Sequence, residues 1–161
     1  SVELAKILLR EHWQHEPILL PAEPGFENKI EFTRGAVVIG DRTVALERRC
    51  AYAYDLAEAW MQHTGLPFVF AAWISRQPLD AAFVQAFNEA LLRGVEAVPQ
   101  LLYLIPPPTP DFDLQEYYTR HISYALDASK QKALALFLEK IQPGSSARIV
   151  RLSGSAPLIS I

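Results

Sequence analysis

The sequence has very little sulfur and no concentration of positive charge. Cys50 is its one cysteine. A lone thiol can neither close an internal disulfide nor build a thiolate metal site, and it is compatible with a reducing compartment. Lysine and arginine total 15 against 18 acidic residues, a net charge of -3, with both signs scattered along the chain. Without a basic block, nucleic acid has no electrostatic footprint here. Long apolar runs are missing as well. The longest, Leu66 to Ser75, falls well short of the roughly 20 residues that span a bilayer. The opening Ser1-Val2-Glu3-Leu4 has the organisation of neither a signal peptide nor a basic transit sequence. The lack of an initiator methionine suggests processing or truncation. The expectation is a soluble, cytoplasmic protein with no nucleic-acid or membrane partner.

What is present is ordinary globular material, 50% hydrophobic and 20% charged, enough for one domain with a core. Residues 2–13 read as a helix with Ser1 as N-cap and Glu3 at the positive end of the dipole. Ile18-Leu19-Leu20 is a short strand candidate. Ala36-Val37-Val38-Ile39 is a compact, mainly β-branched run ending in Gly40-Asp41, which predicts a buried strand followed by a sharp turn. Asp55 and Glu58 have capping-box spacing, and Gly65 stands where a helix end wants a left-handed residue, so a helix is expected from Asp55 to about His63. Residues 67–75 are apolar on both faces, which predicts a central strand covered by helices on both sides. Residues 78–98 make the longest helix, with Phe83, Ala86, Phe87, Ala90 and Leu91 as its apolar stripe. Two more helices are expected at 114–121 and 128–141, the second capped by Asp127. The tail from Gln142 is rich in Gly and Ser, and its apolar runs include Ile149-Val150 and Leu158-Ile159. No internal repeat is visible, and the fold class is α/β.

Between Ala36 and Arg76 the order Val38-Ile39-Gly40-Asp41, Tyr54-Asp55-Leu56-Ala57-Glu58-Ala59-Trp60 and Thr64-Gly65-Leu66-Pro67-Phe68-Val69-Phe70-Ala71-Ala72-Trp73 resembles the chorismate dehydratases of the futalosine route to menaquinone. Ser1-Val2 is similar to the end of that family's Ser-Arg-Thr-Ser-Val segment. Tyr117 to Leu126 resembles its late Tyr-x-x-x-x-Ile-x-Tyr-x-Leu stretch. The resemblance runs over roughly residues 1–141 and leaves the tail 142–161 unmatched. It implies a type II periplasmic-binding-protein-like architecture of two α/β lobes flanking a cleft. On that template 1–40 belong to the second, inserted lobe, and 41–141 form the return crossing and the later part of the first lobe. The family normally carries roughly a hundred residues before the position of Ser1, in keeping with two-domain size.

The implied reaction is loss of water from chorismate to give 3-[(1-carboxyvinyl)oxy]benzoate. Aromatisation drives the elimination, so no cofactor or metal is called for. The protein must hold two carboxylates, orient the ring and assist proton transfer. Ser1 and Val2 are candidates for one carboxylate, because amides at a helix start are unpaired and the dipole favours an anion; the alternative is that Ser1 only caps the helix. Gly40 and Asp41 follow a predicted strand, where open α/β sheets place ligands; the alternative is a plain turn. Asp41 is a weak candidate for acid or base. A carboxylate of the substrate itself is the other. His12 and His15 have metal-pair spacing but no third ligand nearby, so a solvated helix face is the better reading. Cys50, after Arg48 and Arg49, lacks a paired histidine. Phe70 and Trp73 serve the core or the cleft. A rival function is a non-catalytic module of the same fold that binds a small carboxylate, and another is an inactive fragment. On the template, removing the central strand's neighbours would expose its edges. Self-association, a completing chain, or the runs at 149–150 and 158–159 folding back are then expected to cover them.

Overall fold

The computed structural model describes residues 1–141 and 158–159, and divides the chain into two compact units, Ser1–Gly65 and Leu66–Ile161. The described residues are mostly helical, with little strand.

In the first unit α1 spans Val2–Glu11. Leu4, Ala5, Ile7 and Leu8 recur at helical spacing and are buried, so one stripe turns inward. It packs on α3, Leu56–Thr64, whose Ala59 and Trp60 are buried. Covering each large side chain is worth roughly 1.5–3 kcal/mol, so Leu4, Leu8 and Trp60 carry this small core. The Asp55 carboxylate accepts from the amides of Ala57 at 2.6 Å and Glu58 at 3.0 Å, which starts α3 as the capping spacing predicts. Gly65 ends it at φ 70° with its amide on the Met61 carbonyl, 2.8 Å away; a β-carbon is disfavoured in that left-handed conformation. Helix α1 stops two residues short of the expected end, where Gln14 takes φ 54°. Helix α2, Arg42–Glu47, is short, and a single 3-10 turn covers Phe26–Lys29.

Two strand expectations in this unit are corrected. Residues 18–20 and 36–39 form no strand, and Ile18, Leu20, Val37 and Ile39 are exposed. Gly40 and Asp41 therefore do not follow a buried strand. A helix satisfies its peptide groups from within, whereas a strand needs a neighbour, and no neighbour is offered to these segments among the described residues.

In the second unit α4 spans Ala81–Leu101. Asp80 caps it, accepting from the amides of Ala82 and Phe83 at 2.9 and 3.1 Å. The covered face follows Val84, Phe87, Asn88, Leu91 and Val95, while Phe83, Ala86 and Ala90 of the expected stripe are exposed. The helix is apolar around more of its circumference than its neighbours cover. A 3-10 turn, Leu102–Leu104, follows it. Helix α5, Leu114–Glu116, runs into a π-helical turn at Tyr117–His121. Strand β1, Ala125–Leu126, precedes α6, Ala128–Ile141. Asp127 caps α6 through the Lys130 amide at 2.9 Å. Strand β2, Leu158–Ile159, pairs antiparallel with β1, Ala125 opposite Ile159. So one of the two tail runs does fold back, but onto β1. The other, at 149–150, lies outside the described residues. The expected central strand at 67–75 is absent: only Val69 is buried there, and Phe70, Trp73 and Ile74 are exposed.

Candidate functional site

The four residues singled out by sequence lie in the first unit. Ser1 is exposed at the start of α1; its side chain makes no capping bond, and its carbonyl accepts from the Ala5 amide at 2.9 Å. Val2 is exposed beside it. The first amides of α1 have no partner within the helix, and the nearby Glu3 carboxylate is held by Lys6 at 2.7 Å. Gly40 has φ 77°. Its carbonyl accepts from the Thr43 amide at 2.9 Å and the Thr43 hydroxyl at 2.8 Å, which launches α2. A β-carbon added at Gly40 meets nothing within 4 Å, so the glycine is required by the backbone conformation and not by a close neighbour. Asp41 is exposed, and its carboxylate makes no capping bond. Among the described residues no hydrogen bond or ion pair joins Ser1 or Val2 to Gly40 or Asp41.

The structure gathers a different group, which the sequence did not reveal. At the C-terminal ends of α1 and α3, the His63 Nε2 lies 3.4 Å from the Glu11 carboxylate. Arg10 donates to the same carboxylate group at 2.6 Å. The His12 and His63 rings meet edge to face at 5.7 Å, His12 meets Trp13 at 5.5 Å, and Trp13 meets Tyr54 at 5.6 Å. Glu11 and His63 are 52 residues apart, so no spacing rule links them. His12 and His15 do not share a helix face, because α1 ends before them; His15 Nδ1 lies 3.3 Å from the Gln14 carbonyl oxygen. Among the described residues no cluster of three His, Cys, Asp or Glu side chains is arranged to hold a metal. None of the described helices is long and apolar enough to cross a membrane. Cys50 is half-buried, its amide bonded to the Leu46 carbonyl at 3.1 Å.

The second unit contains a buried cation that sequence reasoning also missed. Lys130 is 6% exposed. Its Nζ donates to the Ser123 carbonyl and hydroxyl, both at 2.7 Å, and to the Ala125 carbonyl at 2.6 Å. Three donors meet three acceptors. Burial pushes the ammonium below its ordinary value, and the nearby Asp127 charge opposes this. The neighbouring Tyr124 hydroxyl, donating to the Tyr118 carbonyl at 3.1 Å, is pushed up by burial and by Tyr118 and Tyr117.

Residues 1–143 match a protein family described as menaquinone biosynthesis. That is most of the chain, and the chain belongs to this family. Within it, the sequence is 30% identical over 167 aligned positions to the chorismate dehydratase of Thermus thermophilus, a match covering 88% of this chain and 59% of the relative. It is 29% identical to the chorismate dehydratase of Campylobacter jejuni over 65% of this chain and 48% of that protein. The chain thus spans about half to three fifths of the length of these curated relatives. No solved structure matches it.

Proposed function

We propose that this chain forms part of a cytoplasmic chorismate dehydratase of the futalosine route, a carbon–oxygen lyase. The observation that carries the reading is the family match over residues 1–143, with two relatives named for that activity. In the reaction a ring C–H bond and the neighbouring C–OH bond break, a ring double bond forms, and proton and hydroxide leave as water. The complete protein has the two-lobed, type II periplasmic-binding-protein-like form, and this chain supplies its later portion.

Ser1 and Val2 receive one carboxylate at the start of α1, which the helix dipole favours. Gly40 and Asp41 line the other side of the substrate. Support for the first assignment is the exposed, unbonded side chain of Ser1. Support for the second is the Asp41 carboxylate, which is exposed and spent on no cap. The Glu11–His63 pair is not the proton acceptor for a substrate held at Ser1. It lies at the far end of a ten-residue helix, about 15 Å away at 1.5 Å per residue. A carboxylate of the substrate itself serves as base in this reading.

A cleft enzyme needs both walls, so the 161-residue chain alone is expected to give no enzyme-rate product from chorismate. The full-length protein is expected to give it, followed by absorbance. Benzoate-type ligands titrated against full-length protein are expected to bind about tenfold more weakly after Ser1→Ala, the loss of roughly one hydrogen bond to a charged group. Unchanged affinity and turnover would remove Ser1 from the site. Binding of chorismate without product would favour the non-catalytic carboxylate module.

A further inference from the structure

Strand β1 is pinned from one side by α6. The Lys130 Nζ donates to the Ala125 carbonyl at 2.6 Å, and the Gln131 side-chain amide donates to the Leu126 carbonyl at 3.0 Å. A strand held in this way still needs a ladder partner, because it cannot satisfy its peptide groups from within. Strand β2 supplies one in a defined register, Ala125 opposite Ile159 and Leu126 opposite Leu158. Strand β2 also lies beside α4, and so does the π-helical turn Tyr117–His121 that precedes β1. A single short segment therefore adjoins both α4 and β1 within one compact unit.

That segment stands apart in sequence. The family match ends at residue 143, and β2 begins at Leu158. Two cross-strand pairs are a weak hold, but a segment of the same chain meets its partner at high effective concentration. Weak pairing made intramolecular is a closure that can open. We propose that Leu158–Ile159 is a releasable strap: it adds a strand to β1 beside α4 and holds residues 117–126 in place, and its detachment frees that stretch. The inference is independent of the reaction proposed above.

Amide hydrogen exchange tests it by comparing the 161-residue chain with one lacking residues 142–161. Deletion is expected to speed exchange over 117–126 about fivefold, as the loss of a weak pairing does, and to leave α1 and α3 unchanged. Unchanged exchange over 117–126 overturns the proposal. So does unfolding of the whole second unit, which makes β2 an inseparable part of its core. A disulfide tests the register in a chain that keeps residues 142–161. In a Cys50→Ser background, Ala125→Cys with Ile159→Cys places two thiols on directly opposed residues. Ala125→Cys with Ser155→Cys places them four residues out of register, roughly 13 Å along an extended strand. With oxidised glutathione the first pair is expected to close within the chain about tenfold faster than the second, and its closure is expected to slow exchange over 117–126. Equal rates, closure between two copies, or a closed first pair that leaves exchange unchanged overturn the proposal.

Discussion

Lys130 occupies the first turn of α6, where sequence rules expect a solvated lysine, and it is buried there with its three protons matched to Ser123 and Ala125. It fixes the chain between the π-helical turn and β1. Lys130→Met leaves those acceptors without a donor and is expected to cost about 2–3 kcal/mol at neutral pH, measured by urea unfolding. The pH dependence follows from the lowered ammonium pKa. Between the folded value and the unfolded value near 10.5 the unfolded chain binds more protons, so stability from this group rises with pH over that window. The wild type should therefore gain stability relative to Lys130→Met as pH climbs toward 10.5. Tyr124 works in the opposite sense. Its raised pKa means that the unfolded chain ionises first above pH 10, which lowers stability, but it is present in both proteins and cancels in their difference. A wild-type advantage that shrinks over the same range would contradict the assignment.

Helix α3 shows what was legible in the sequence. Asp55, Glu58 and Gly65 mark its two ends by local chemistry, and the structure uses Asp55 and Gly65 in those roles. Asp127 marks α6 in the same way, whereas α4 begins at Ala81 behind an Asp80 cap and not at 78 as expected. Asp55→Ala is expected to cost about 1 kcal/mol. Gly65→Ala, held at positive φ, is expected to cost about 1–2 kcal/mol. Thermal unfolding measures both, and a combined loss close to the sum would follow if the two ends act independently. The strand expectations at 18–20, 36–39 and 67–75 fared differently because a strand's partner is not written in its own residues. The candidate site was legible only so far as resemblance reached. Ser1, Val2, Gly40 and Asp41 came from matched positions, whereas the meeting of Glu11 with His63 depends on how α1 packs on α3, and no local pattern encodes it.

Across the whole chain, two compact units each hold their own buried side chains. The tryptophans are divided unevenly between them. Trp13 and Trp60 belong to the first unit, and Trp60 is fully buried; Trp73 belongs to the second and already faces solvent. Helical residues are weighted the other way, with the 21 residues of α4 and the 14 of α6 in the second unit. Units with separate cores need not melt together, and non-coincident probes are the sign of it. On heating, the red shift of tryptophan emission should follow the first unit, while far-ultraviolet ellipticity should follow mainly the second. Different midpoints are expected, and superimposable curves would show one cooperative block. Trp60→Phe should remove most of the emission shift and leave the ellipticity midpoint nearly where it was. The burial of Trp60 in one unit and the exposure of Trp73 in the other thus give the first unit an optical channel of its own, with no label attached.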